Sequence, residues 1–244
     1  MHLSALIPAT LALLSAIPPT HAATATSSSL HYRLRARVTG PQNATTPAVS
    51  GWALEVQRLG VPTRLPPDYM WGVLINATFA PSRGGDVFYA QRTGNGTSSS
   101  SSHIRTDAPN NSGEVLPFGI TALGRSASQD YPMDGVEMSA VRYIDVPPEE
   151  TTDVAVGAGG VPFVHKRAGG GENGTFAACT GLYSEWATLY WIDVAKYGTG
   201  PIYSTGADYQ DCTPVELVPE CVAGGPSYEG LEERPCVADV TTVL

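Results

Sequence analysis

The sequence predicts an all-β protein: an antiparallel sandwich or barrel-like single domain, stapled by disulfides in its C-terminal third. Three observations carry this. Apolar and polar residues alternate with period 2 in segment after segment, which marks strands with one face buried and one wet. Turn-forming residues recur every ~8–15 positions, and no long stretch keeps the 3.6-residue helical period. All four cysteines, Cys179, Cys212, Cys221 and Cys236, fall in the last third of the 244-residue chain.

The chain opens on a mostly apolar run, Leu3 to Ile17, without Asp, Glu, Lys or Arg. It is shorter than the ~20 apolar residues that span a bilayer. Pro8, Pro18 and Pro19 argue against a buried helix. Thr20-His21-Ala22 is a small-x-small cleavage site, so residues 1–22 are predicted to be a signal peptide. The β-rich domain is expected over residues 23–222, with a C-terminal tail at 223–244 that carries Cys236. A chain of ~220 residues suits one large β domain and can bury a core.

Leu30 to Val38 is the clearest strand: Leu30, Tyr32, Leu34, Ala36 and Val38 alternate with His31, Arg33, Arg35 and Arg37. Trp52, Leu54 and Val56 alternate with Ala53, Glu55 and Gln57. Val73 to Phe79 and Asp86 to Gln91 follow. Gly94 to Ser102, with its serine run, reads as a loop. Strands resume at Val115–Leu123, Gly135–Val146 and Thr151–Val156, with Asp134-Gly135 and Pro147-Pro148 as turns. Ala168 to Gly174 is glycine-rich but has no phosphate-cradle pattern, and Lys166-Arg167 before it reads as surface charge. Thr175–Cys179, Thr188–Ile192 and Val215–Val218 close the domain, with one short helix expected around Ser184–Leu189.

Composition excludes several functions. A net charge of −9 disfavours nucleic acid and anionic membrane surfaces, which need clustered Lys and Arg. The C-terminus is too short and polar for a lipid-anchor signal, so the mature product is expected to be soluble and secreted, an extracellular protein with no membrane partner. An even cysteine count in such a chain implies two disulfides, of which four cysteines allow three pairings. Cys179–Cys212 and Cys221–Cys236 are expected, each closure adding roughly 3–4 kcal/mol by the chain-entropy argument. The spacings match no zinc module, and no metal or cofactor is expected. Five N-x-S/T sequons, at Asn43, Asn76, Asn95, Asn110 and Asn173, predict surface positions and N-glycosylation.

The search for chemistry returns little. Gly124-Arg125-Ser126-Ala127-Ser128 misses the nucleophile-elbow pattern at its last position. Beyond the signal segment the histidines are His31, His103 and His165, with no metal-binding spacing; His31 is expected on the wet strand face, and His165 in a surface loop. Glu185 beside Trp186 and Asp193 beside Trp191 are the carboxylates nearest to aromatics, and no catalytic residue is assigned from them. Trp52 and Trp191 sit in strand runs and are expected in the core, whereas Trp71 and Trp186 lie nearer turns and are the candidate ligand-stacking residues. The Arg33, Arg35, Arg37 row is expected to pair with carboxylates on a neighbouring strand.

Five pieces resemble a family of fungal (ascomycete-type) secreted proteins of unassigned function. They are Tyr32-Arg33-Leu34, Gly174-Thr175-Phe176-Ala177-Ala178-Cys179, Leu189-Tyr190-Trp191, Asp211-Cys212, and Val215-Glu216-Leu217-Val218-Pro219-Glu220. The resemblance covers roughly Leu30 to Glu220, and its strength lies in the order and spacing of the C-terminal pieces. It implies that these are the first and closing strands of one domain. The His- and Gly-containing stretch of the family is missing at Val56-Gln57-Arg58-Leu59-Gly60, and the segment with Cys221 and Cys236 is additional. The resemblance brings no catalytic residue. The expected function is a non-enzymatic extracellular binding or surface protein, with cell-wall or host glycans as the partner class. The alternatives are a polysaccharide hydrolase using paired carboxylates and a structural wall component.

Overall fold

A computed structural model describes residues 26–42, 45–57, 70–76, 84–92, 102–109, 113–122, 138–145, 154–157, 160–166, 174–180, 186–193, 201–202, 207–208 and 211–244. Among the described residues every regular element is a strand apart from one 3-10 turn, Val240–Thr242. The strands are β1 (Thr26–Ser29), β2 (His31–Val38), β3 (Ala53–Gln57), β4 (Met70–Ile75), β5 (Phe88–Arg92) and β6 (Ser102–Pro109). They continue with β7 (Val115–Ala122), β8 (Met138–Asp145), β9 (Val154–Val156), β10 (Val164–Lys166), β11 (Gly174–Thr180) and β12 (Trp186–Asp193). The last are β13 (Pro201–Ile202), β14 (Ala207–Asp208), β15 (Cys212–Cys221), β16 (Leu231–Glu232) and β17 (Arg234–Val237).

The all-β expectation holds. Six strands close an antiparallel barrel in the order β2-β3-β4-β12-β11-β15, with β15 returning to β2. Four more strands, β5-β6-β7-β8, bridge across it. β5 takes the edge of β2 at His31 and Tyr32, where β3 has left it after Arg35. At the far end β8 pairs with β12 at Tyr190–Ile192 and with β4 at Met70 and Trp71.

The alternation read from the sequence decides which side faces in. Tyr32, Leu34 and Ala36 of β2 join Leu54, Leu74, Phe176, Leu189, Trp191 and Leu217 in one core. Phe88, Ile104, Phe118 and Ile120 of the bridging strands belong to the same cluster, so barrel and bridge share one interior. Phe176 and Trp191 meet edge to face, with ring centroids 4.9 Å apart. Trp52 packs against this core, partly buried.

Two expectations need correction. The helix expected around Ser184–Leu189 is not formed by its described part: Trp186–Leu189 is the start of β12. Ala187, Leu189 and Trp191 alternate with Trp186, Thr188 and Tyr190, and the period-2 packing against β11 and β4 overrides local propensity. His31 is not on a wet face. It is 9% exposed, because residues 222–230 lie across it. Val222 donates its backbone N–H to the carbonyl of His31, and His31 Nε2 lies 2.8 Å from the carbonyl of Pro226. A Cβ on Gly225 would fall 2.3 Å from the His31 ring. That residue also has φ +157°, where side chains are strained.

Residues 223–244 are therefore woven into the domain. β16 pairs with β5, and β17 pairs antiparallel with β1 and parallel with β15 at Glu220. Cys236 lies in the main core, and Val237 and Val240 cover Val218 on the outside of the barrel. The disulfides are Cys179–Cys212 and Cys221–Cys236, as expected, with Cα separations of 4.2 and 5.2 Å. The first staples β11 to β15 across one register pair; the second closes the loop that forms the strap. Replacing both Cys221 and Cys236 by Ser is expected to lower stability by about 3 kcal/mol, the entropy of a 15-residue loop. Urea unfolding of the oxidised protein would measure it, and an unchanged midpoint would remove the strap from the stability of the fold.

Candidate functional site

The candidate site is the outer face of β2-β3-β4-β12. Directly opposed residues of an antiparallel pair share a face, so the register alone assembles it. Arg35 opposes Ala53; Glu55 opposes Val73; Gln57 opposes Trp71; Trp186 opposes Ile75; Thr188 opposes Val73. Trp71 and Trp186 thus stand on one face, both partly exposed. They are offset by the four-position step from Trp71 to Ile75, about 13 Å along the strand. Glu55 and Thr188 lie in the row between them.

The arginines of β2 line the adjacent margin. Arg33 Nε donates to Asp86 Oδ2 at 3.1 Å, and Arg35 Nε donates to Glu220 Oε2 at 2.8 Å. Arg37 pairs with Glu216, its opposite number on β15. The row is paired with neighbouring carboxylates, so it is no open anion-binding surface.

Glu55 is the residue that sequence reasoning missed. It is 5% exposed, yet among the described residues the nearby arginines form their salt bridges with Asp86 and Glu220 instead. Burial raises its pKa to about 7, and the Asp86 carboxylate adds to the rise, while Arg33 and Arg35 oppose it. In the sequence Glu55 alternates with Leu54 and Val56 like any wet-face residue. Only the tertiary structure says that its own face is covered too.

The other sequence candidates disperse. Asn76 follows β4 and is partly exposed; Asn43, Asn95, Asn110 and Asn173 lie outside the described residues, as do Glu185 and the side chain of Asp193. Trp191 is 7% exposed and His103 fully buried. His165 is partly buried on β10, edge-on to Phe163. No group of three or more His, Cys, Asp or Glu among the described residues could hold a metal. No helix among them is long and apolar enough to cross a membrane. Compared with known proteins, the chain matches no family model, no curated protein and no solved structure.

The raised carboxyl has a thermodynamic consequence. An unfolded glutamate ionises near 4.5, the folded Glu55 near 7. Across that window the unfolded chain gives up a proton that the folded chain keeps, so stability falls as pH rises and then levels off. Glu55→Gln is expected to match the wild type near pH 4 and to exceed it by roughly 3 kcal/mol near pH 8. Denaturant unfolding at the two pH values checks this; equal stability at both would mean that Glu55 ionises freely.

Proposed function

We propose that this chain is a secreted, N-glycosylated extracellular binding protein whose ligand is a glycan, held on the outer face of β4 and β12. The single observation that supports it most is the placement of Trp71 and Trp186 on one sheet face, with Glu55, Gln57 and Thr188 beside and between them. Sugar rings present apolar faces to aromatic rings and hydroxyls to polar groups, so two partly exposed tryptophans with the partly exposed Gln57 beside Trp71 suit a short saccharide. The two disulfides, the signal-peptide reading of residues 1–22, the sequons and the resemblance to fungal secreted proteins support the extracellular compartment.

Glu55 favours a second reading, a polysaccharide hydrolase. A carboxyl raised to about 7, within electrostatic reach of the arginine-paired Asp86, supplies a proton-holding acid near a second carboxyl group, the two residue types that glycoside hydrolysis uses.

The test is retention of the purified protein on a panel of insoluble fungal and plant polysaccharides. Selective depletion by one polymer is expected, reduced at least tenfold by Trp71→Ala or Trp186→Ala. Depletion by none sinks the glycan reading. Reducing ends released by the wild type and not by Glu55→Gln would shift the assignment to the hydrolase.

A further inference from the structure

The outer face of the bridging strands carries a second site, built around Arg105. The residue is 6% exposed on β6. Its Nη1 donates to Gln91 Oε1 at 3.2 Å, but its Nε and Nη2 are shut off from solvent and have no hydrogen-bond partner among the described residues. Those two nitrogens form the side-on fork of the guanidinium, the edge whose parallel N–H groups fit a planar carboxylate. A buried guanidinium edge without acceptors is costly, and among the described residues none accepts from it. Asp107, two residues along the same strand face, accepts from two tyrosines and not from the fork. Tyr89 donates to Oδ1 at 2.7 Å and Tyr228 to Oδ2 at 2.9 Å.

The surroundings of the fork are polar. Gly119 opposes Arg105 on β7 and contributes no side chain. Two residues along the same face, Thr121 is 6% exposed and its hydroxyl is also buried without a partner. Tyr89 opposes Arg105 on β5, and Tyr228 lies on Tyr89 with ring centroids 5.4 Å apart. Tyr228 belongs to the strap and is itself 40% exposed.

We propose that Arg105 binds the carboxylate of a small organic acid or of a uronic acid residue, with Thr121 as an additional hydrogen-bonding group and Tyr228 as the side chain displaced on entry. A monoanion fits better than phosphate or sulfate, because Asp107 stands beside the fork and the chain is already at net charge −9. The site goes beyond the glycan-binding reading and uses none of its residues.

The test is the thermal midpoint of the full chain in acetate, free galacturonate and polygalacturonate, against glucose and against chloride and sulfate at equal ionic strength. A saturable rise with carboxylates alone is expected. A response to the free acids assigns the ligand to small acids, and a response to the polymer alone assigns it to a polymer. Arg105→Gln is expected to raise the midpoint without ligand, by removing an unpaired buried charge, and to abolish the response. Arg105→Lys, which keeps the charge and loses the fork, is expected to weaken binding at least tenfold. Absence of any rise, an equal rise with sulfate, or an undiminished rise in both variants overturns the site. Trp71→Ala and Trp186→Ala are expected to keep the carboxylate response, so this site and the glycan face fail or stand separately.

Discussion

The structure depends on the ladder between β2 and β15. Strands separated by most of the chain pair antiparallel from Val215↔Val38 to Cys221↔Tyr32. This pairing closes the barrel, and a closed barrel has no exposed edge along those strands. Every other feature hangs from it. On the inside it brings Tyr32, Leu34 and Ala36 against Leu217 and Val215. On the outside it sets Arg35 and Arg37 against Glu220 and Glu216. At its end it delivers Cys221 to the disulfide that holds the strap over His31. Long-range contacts like these form late and carry a large closure entropy. That accounts for the place of both disulfides: each pins one end of β15, at Cys212 and at Cys221.

How much of this was legible follows from which faces are covered. β2 was readable because the two sides of the strand differ chemically: apolar inward, three arginines outward. The arginines proclaim an outer face even where ion pairs half bury them. β6 was not readable, and the serine run masked its start. Its residues from His103 to Thr106 are buried on both sides, so no contrast marks the period. His31 and Glu55 were misplaced for the same reason. Alternation reports on chemistry, and it assigns every polar residue to water. It has no access to a strap that arrives from 195 residues downstream or to a covered outer sheet face. The helix expected around Ser184–Leu189 failed differently. A short segment mixing Glu, Ala and Leu carries helical propensity, and pairing with β4 and β11 on both edges outweighs it.

The candidate site was legible by half. Trp71 and Trp186 could be singled out by residue type and nearness to turns. That they share a face is a property of register, since a one-residue slip would send one of them to the interior. The register is set in turn by Leu54, Leu74 and Leu189 packing inward. The core therefore dictates the geometry of the face it turns away from.

Two buried charged side chains, Glu55 and Arg105, stand apart from the ion pairs of the described residues. The charges of β2, β15 and β16 are matched pair by pair, Arg92 with Glu232 included. Glu55 and Arg105 are not, and they lie on different parts of the outer surface with opposite sign. A packed domain loses nothing in folding by replacing such groups with apolar or amide isosteres, and often becomes more stable. Structural need therefore does not account for either one. Their neighbours differ in a way that separates their roles. Glu55 can relieve its burial by holding a proton. Arg105 has no such relief, because a guanidinium stays charged at any physiological pH. It needs acceptors for its two remaining N–H edges, and a carboxylate matches their geometry. A held proton on one face and charge pairing on the other are distinct demands, and they point to two sites on one surface.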